Sequence, residues 1–163
     1  MNYADARSLI ADGDLIAVRG TEGFLTPFTK FFTRSDYTHA GIAVWMDGGL
    51  WMAELNSGKN HLIPLSQLES TAFDVYACPV ENPKPAIMNM LRIPLPYSLA
   101  ALFVIGLLNW LRIKIFLHWR QLLVCSGYCV KIYEAAGWGD HSRLVSPQEL
   151  AASLTLKIEV RPA

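Results

Sequence analysis

Charge is scarce in this chain. Only 17% of the 163 residues are Asp, Glu, Lys or Arg, and the 14 acidic and 14 basic side chains cancel. A soluble domain usually carries about a quarter charged residues. A nucleic-acid binder needs a basic excess or a basic stripe, so that class is excluded. A net charge of zero also favours self-association. Cysteine is rarer still: Cys78, Cys125 and Cys129 are the three. An odd number without a C-x-x-C pair is no disulfide framework, and no paired Cys/His spacing suggests zinc. No metal and no cofactor is therefore expected. The opening stretch MNYADARSLIADGDLIAV lacks a basic segment followed by a roughly 7–15-residue apolar run, so it does not read as a signal peptide. Synthesis in the cytoplasm is the expectation. Internal repeats and low-complexity tracts are absent from the sequence.

What is present is apolar. Hydrophobic residues make up 52% of the chain, and the mean hydropathy is +0.25. A chain of this length forms one domain, here residues 1–163, and buries roughly two-thirds of its unfolded surface.

Residues 4–11 read as a short helix, followed by the turn pair Asp12-Gly13. The run DLIAVR (14–19) is a strand. Phe24, Leu25, Phe28, Phe31 and Phe32 recur at helical spacing within the loop-like stretch 20–36. HAGIAVW (39–45) and LWMAEL (50–55) form a hairpin around Met46-Asp47-Gly48-Gly49. In the second strand Trp51, Ala53 and Leu55 point one way, and Leu50, Met52 and Glu54 the other. HLIPLSQL (61–68) holds a short strand and then a turn, FDVYACP (73–79) is a strand, and 81–85 is a proline-bearing loop. A short helix is expected over 87–93. CSGYCVKIYEAA (125–136) is a helix ended by Gly137. Pro147 opens a last helix, and TLKIEVRP (155–162) alternates as a final strand.

Three residues carry chemistry. Cys125 begins a helix, where the positive dipole end favours thiolate. The small residues Ser126 and Gly127 after it let a carbonyl approach, and backbone N–H groups there can hold an oxyanion. The alternative is a buried, inert cysteine. His39 stands at a strand start, where a rigid scaffold can aim an imidazole into a cleft, or it is a half-exposed histidine with no role. Glu54 lies mid-strand between apolar neighbours, and hairpin pairing brings it near His39. A carboxylate there would orient the imidazole; the alternative is an edge-strand glutamate facing water. Cys129, one turn after Cys125, reads as core or a wall of the site. Cys78, before a proline, reads as structural. Asp14 reads as support for the first strand. His61, His118 and His141 lack the strand-start setting of His39.

The stretches GDLIAV (13–18), YTHAGIAVW (37–45), AEL (53–55) and CSGYCVKIYEAAGW (125–138) resemble the circularly permuted NlpC/P60 cysteine hydrolases. That branch includes the YiiX/YebB-like and lecithin:retinol acyltransferase-like proteins. Its order is His, then a polar residue on the next strand, then Cys on a late helix, and His39, Glu54 and Cys125 follow it. The resemblance implies an α+β, papain-like core in which a small antiparallel sheet packs on the Cys-bearing helix. It implies Cys125 as nucleophile, His39 as base and Glu54 as the orienting third residue. Tyr37, two residues before the histidine, is a candidate for lining the oxyanion site, as is Ser126.

The likeness fades between residues 80 and 120, where an apolar segment sits, a hydrophobic insertion around 97–120. Leu99 to Leu108 is almost wholly apolar but shorter than the about 20 residues of a membrane span. A buried core helix, an interfacial helix flanked by Trp110, Arg112, Lys114, Trp119 and Arg120, and a partner-covered surface all fit it. The interfacial reading would bring peripheral membrane contact through 99–120.

The resemblance implies a cysteine amidase or endopeptidase acting on peptidoglycan stem peptides or cross-links. Reaching that substrate without a signal peptide would require another delivery route, as for a secreted effector toxin or a phage lysis or tail protein. Activity in the periplasm or at the cell wall, with a delivery or inhibitor protein as partner, follows from it. The alternatives are a lipid or acyl-chain hydrolase or acyltransferase, and a catalytically inactive binding module.

Overall fold

The computed structural model describes residues 1–19, 36–56, 59–93, 125–140 and 146–162. Six strands build one sheet: β1 (Leu15–Arg19), β2 (Tyr37–Met46), β3 (Gly49–Asn56), β4 (Lys59–Pro64), β5 (Phe73–Tyr76) and β6 (Leu156–Val160). Their order is β4-β3-β2-β1-β5-β6, and every neighbouring pair is antiparallel. Among the described residues the α-helices are α1 (Tyr3–Ala6), α2 (Lys84–Arg92), α3 (Cys125–Ala135) and α4 (Pro147–Ala152). An antiparallel sheet with helices packed on it is the α+β class expected from the sequence.

Turn chemistry sets the register at the centre of the sheet. Asp47 and Gly48 have φ of 49° and 74°, the positive values that a two-residue type I′ hairpin turn requires. That turn pairs Met46 with Gly49 and, five steps along, Gly41 with Glu54. A Cβ on Gly41 would stand 2.5 Å from Met52 Cγ and 3.0 Å from the Ala53 carbonyl oxygen. Only glycine lets β2 and β3 approach this closely beside Glu54.

Alternation sorts the side chains into two cores. On one face Leu15, Ala17, Ala40, Ile42, Val44, Ala53 and Leu55 pack against Tyr128, Cys129, Ile132 and Tyr133 of α3 and Leu150 of α4. On the other, Ile16, Val18, Ala43, Met52, Phe73 and Val75 are covered by Tyr3, Ala6 and Ile10 near the N-terminus. Each fully buried Leu, Ile, Val or Phe contributes roughly 1.5–3 kcal/mol relative to exposure. This two-sided burial explains the high apolar content of β1 and β2.

The helix ends follow local chemistry. Gly137, at φ 101°, stops α3, with Trp138 N–H donating to the Tyr133 carbonyl at 2.9 Å; this is a left-handed C-terminal cap. Ser146 and Glu149 form a reciprocal capping box at α4. Asp14 supports the first strand, as its setting suggested. Its carboxylate accepts from Ala11 N–H at 2.8 Å, Cys78 N–H at 3.1 Å and Lys157 Nζ at 2.8 Å. Cys78 is held locally, with Sγ 3.2 Å from the Val80 carbonyl.

Some boundaries differ from the sequence reading. The first helix is one α-turn, Tyr3–Ala6, continued by a 3-10 turn, Arg7–Leu9. The proline-bearing stretch is shorter than expected, because α2 already begins at Lys84. Pro83 caps it and Pro85 lies in its first turn, where a missing N–H breaks no helical bond. The strand expected over 73–79 ends at Tyr76. The helical spacing read from Phe24 to Phe32, the apolar segment 97–120, His118 and His141 lie outside the described residues.

Candidate active site

Cys125 is the first described residue of α3. The first N–H groups of a helix have no partner within it, and the dipole is positive there. The helix packs across β2 and β3, so its first turn meets the start of β2, where His39 stands. The Cys125 sulfur and the imidazole of His39 lie close enough to shift each other's protonation. The other side of the imidazole is also engaged: His39 Nε2 donates to Glu54 Oε2 at 2.7 Å. With Nε2 spent on Glu54, Nδ1 is the ring nitrogen left for the sulfur.

Burial sets the electrostatics and pairing overrides it. Desolvation alone would lower the His39 pKa, but the Cys125 sulfur and then the Glu54 carboxylate raise it to about 10. Desolvation alone would raise the Cys125 thiol; the His39 bond and charge, with the Ala40 and Ser126 backbone N–H groups, bring it below its ordinary value. Burial would also raise Glu54, and His39 followed by His61 brings it below the usual carboxylate range. The favoured state is a thiolate beside an imidazolium, itself beside a carboxylate.

The other cysteines differ. Cys129 is fully buried, and its thiol is held well above the ordinary value by burial and by the nearby Cys125. Burial also pushes Cys78 up. Of the three sulfurs, Cys125 alone is shifted towards thiolate.

Ser126 is fully buried, and its backbone N–H serves the Cys125 sulfur. Tyr37 requires a correction. A phenol has one proton, and Tyr37 commits it to Asp74 Oδ2 at 2.6 Å, so it has none to donate to an oxyanion. Its oxygen also meets the Tyr76 hydroxyl at 2.7 Å. Asp74 is buried and accepts in addition from Arg19 and, at 2.7 Å, from Arg161 Nη1. Both arginines hold its carboxyl below the ordinary range against the cost of burial. Tyr37 thus anchors the start of β2 to β5.

One neighbour was passed over in the sequence. His61 stands directly opposite Glu54 in the β3–β4 register, with Nε2 3.2 Å from Glu54 Oε1. Its signal was the strand that follows Asn56-Ser57-Gly58 in the sequence, which places 61 across from 54 once the pairing is counted.

No family model matches the chain, and no curated protein matches it in sequence. In three dimensions it is similar to the crystal structure of the metalloprotein yiiX from Escherichia coli O157:H7. The TM-score is 0.65 at 17% identity, over 94% of this chain and 99% of that one. An agreement that spans nearly all of both chains shows that this protein has the α+β fold of yiiX.

Proposed function

We propose that this chain is a cysteine hydrolase with Cys125 as nucleophile, His39 as acid and base, and Glu54 as the group that orients His39. One observation carries the reading: a single imidazole lies between the Cys125 sulfur and a buried carboxylate, interacting with the first and hydrogen-bonded to the second.

The chemistry follows from that order. The Cys125 thiolate attacks an amide carbonyl carbon, forming a C–S bond and moving one electron pair onto oxygen. Backbone N–H groups at the start of α3 are the donors for that oxyanion in this reading. The His39 imidazolium gives its proton to the leaving nitrogen as the C–N bond breaks. A thioester and a neutral imidazole remain. Water, deprotonated by His39, then attacks the thioester, releasing the acid and restoring the thiolate–imidazolium pair. Glu54 stabilises the imidazolium and keeps its Nε2–H in place without being protonated itself.

The structure of yiiX is described as that of a metalloprotein. Among the described residues no group of three or more His, Cys, Asp or Glu side chains could hold a metal ion. The Glu54 oxygens face His39 and His61 separately rather than a shared point. These donors do not fit a metal, and no step runs through one.

The proposed substrate is an amide bond in a peptidoglycan stem peptide or cross-link, on the strength of the sequence resemblance to permuted NlpC/P60 hydrolases. Purified peptidoglycan incubated with wild type and with Cys125→Ala, followed by mass analysis, tests it. New peptide fragments released only by the wild type are expected. Equal release by the variant, or none by either, contradicts it.

A further inference from the structure

We propose that His61 is a positioning residue for the Cys125–His39 pair, holding the second oxygen of Glu54 so that the first stays on His39. The proposal rests on the hydrolase reading above and adds a residue to it.

The case begins with the carboxylate. Glu54 is buried, and a buried carboxylate needs partners on both oxygens. Oε2 accepts from His39 at 2.7 Å. Oε1 has two neighbours: Asn56 Nδ2 at 3.5 Å, a long contact, and His61 Nε2 at 3.2 Å. The Asn56 contact is a long hydrogen bond and the His61 contact an ion-pair distance, the nearer of the two. His61 is therefore the nearer partner of Oε1.

Register makes this arrangement obligatory. Glu54 pairs with Gly41 on one side and His61 on the other, and directly opposed residues point to the same face. His39, two residues before Gly41, falls on that face as well. The two imidazoles thus flank one carboxylate from adjacent strands. The His61 Nδ1 lies 3.3 Å from the Lys59 carbonyl oxygen, and donating there and to Glu54 together takes the doubly protonated ring. Asn60, its neighbour in β4, donates to the carbonyls at the end of α2, Met90 at 2.6 Å and Ile93 at 3.0 Å. These bonds keep an edge strand in place.

The consequence is mechanical. With both oxygens occupied, rotation of the carboxylate must break two contacts rather than one. Without His61, Oε1 keeps only the long Asn56 contact, and the carboxylate is freer to leave His39. A less well-held Glu54 stabilises the imidazolium less, and the thiolate with it.

The test reads Cys125 alone and needs no substrate. The rate of Cys125 alkylation by iodoacetamide is followed against pH by peptide mass analysis in wild type, His61→Ala and His61→Gln. Folding of each variant is checked by circular dichroism. His61 lies on an edge strand with its side chain one-third exposed, and the glutamine variant retains an N–H donor. In His61→Ala the acid limb of the profile is expected to move up by about 0.5–1 pH unit, as for loss of a nearby interaction with a charged group. In His61→Gln at least half of that shift is expected to be recovered. An unmoved limb in His61→Ala overturns the proposal, and so does a glutamine variant no better than alanine. A wild-type Cys125 that alkylates like an ordinary thiol overturns the hydrolase reading instead.

Discussion

His39 Nε2 lies 2.7 Å from Glu54 Oε2, although the two residues sit on different strands and 15 positions apart in the chain. The hairpin turn at Asp47-Gly48 makes that meeting possible, and the bond turns the imidazole so that its other nitrogen serves Cys125.

Glu54→Gln keeps the shape of that contact and removes its charge. The imidazolium loses a stabilising neighbour, so the His39 pKa falls from about 10 towards its ordinary value. NMR titration of the His39 ring checks this. Under the proposed function kcat/KM falls by roughly 10²–10⁴-fold, the usual contribution of a positioned acid–base group, with KM little changed because Glu54 binds no substrate.

Activity should follow a bell-shaped pH profile. The working state pairs a Cys125 thiolate with a His39 imidazolium. As pH falls through the lowered Cys125 value the thiolate is protonated; as pH rises through about 10 the imidazolium is lost. The acid limb therefore lies below the ordinary thiol range, and the basic limb near pH 10. Steady-state rates measured across that range check both limbs, and alkylation rates check the acid limb. A single rise near pH 8–9, as for a free thiol at about 8.5, would contradict the pairing.

Asp74→Asn tests the anchor beneath β2. Asp74 gathers Tyr37, Arg19 and Arg161. Both arginines are about one-third exposed, so the loss should be about 2 kcal/mol, less than for a fully buried pair. The Asp74 pKa is lowered on folding, so its contribution is present above the unfolded value of about 3.9 and lost as pH falls through the folded value. Urea midpoints should separate wild type from variant at pH 7 and converge at acid pH.

Much of this was legible in the sequence because local chemistry carried it. The Asp47-Gly48 pair demanded a hairpin, alternation in 50–55 separated Leu55 from Glu54, and Gly137 marked the end of the Cys125 helix. What was not legible depends on contacts far apart in the chain. Asp74 meets Arg161 across 87 positions, and nothing near either residue announces it. Tyr37 read as part of the oxyanion site because of its place beside His39, but its hydroxyl reaches a different strand. His61 was passed over because its role follows from pairing between β3 and β4. One step of register would have turned it to the opposite face.

The most direct test of the thiolate–imidazolium pair is brief alkylation at pH 6, with modification of each cysteine resolved by mass analysis, in wild type and in His39→Ala. Cys78 and Cys129 serve as internal references, since burial raises both thiols. The account predicts that Cys125 is modified well before the other two in the wild type and loses that lead in His39→Ala. Modification of Cys125 no faster than Cys78, or a lead unchanged without His39, would contradict it.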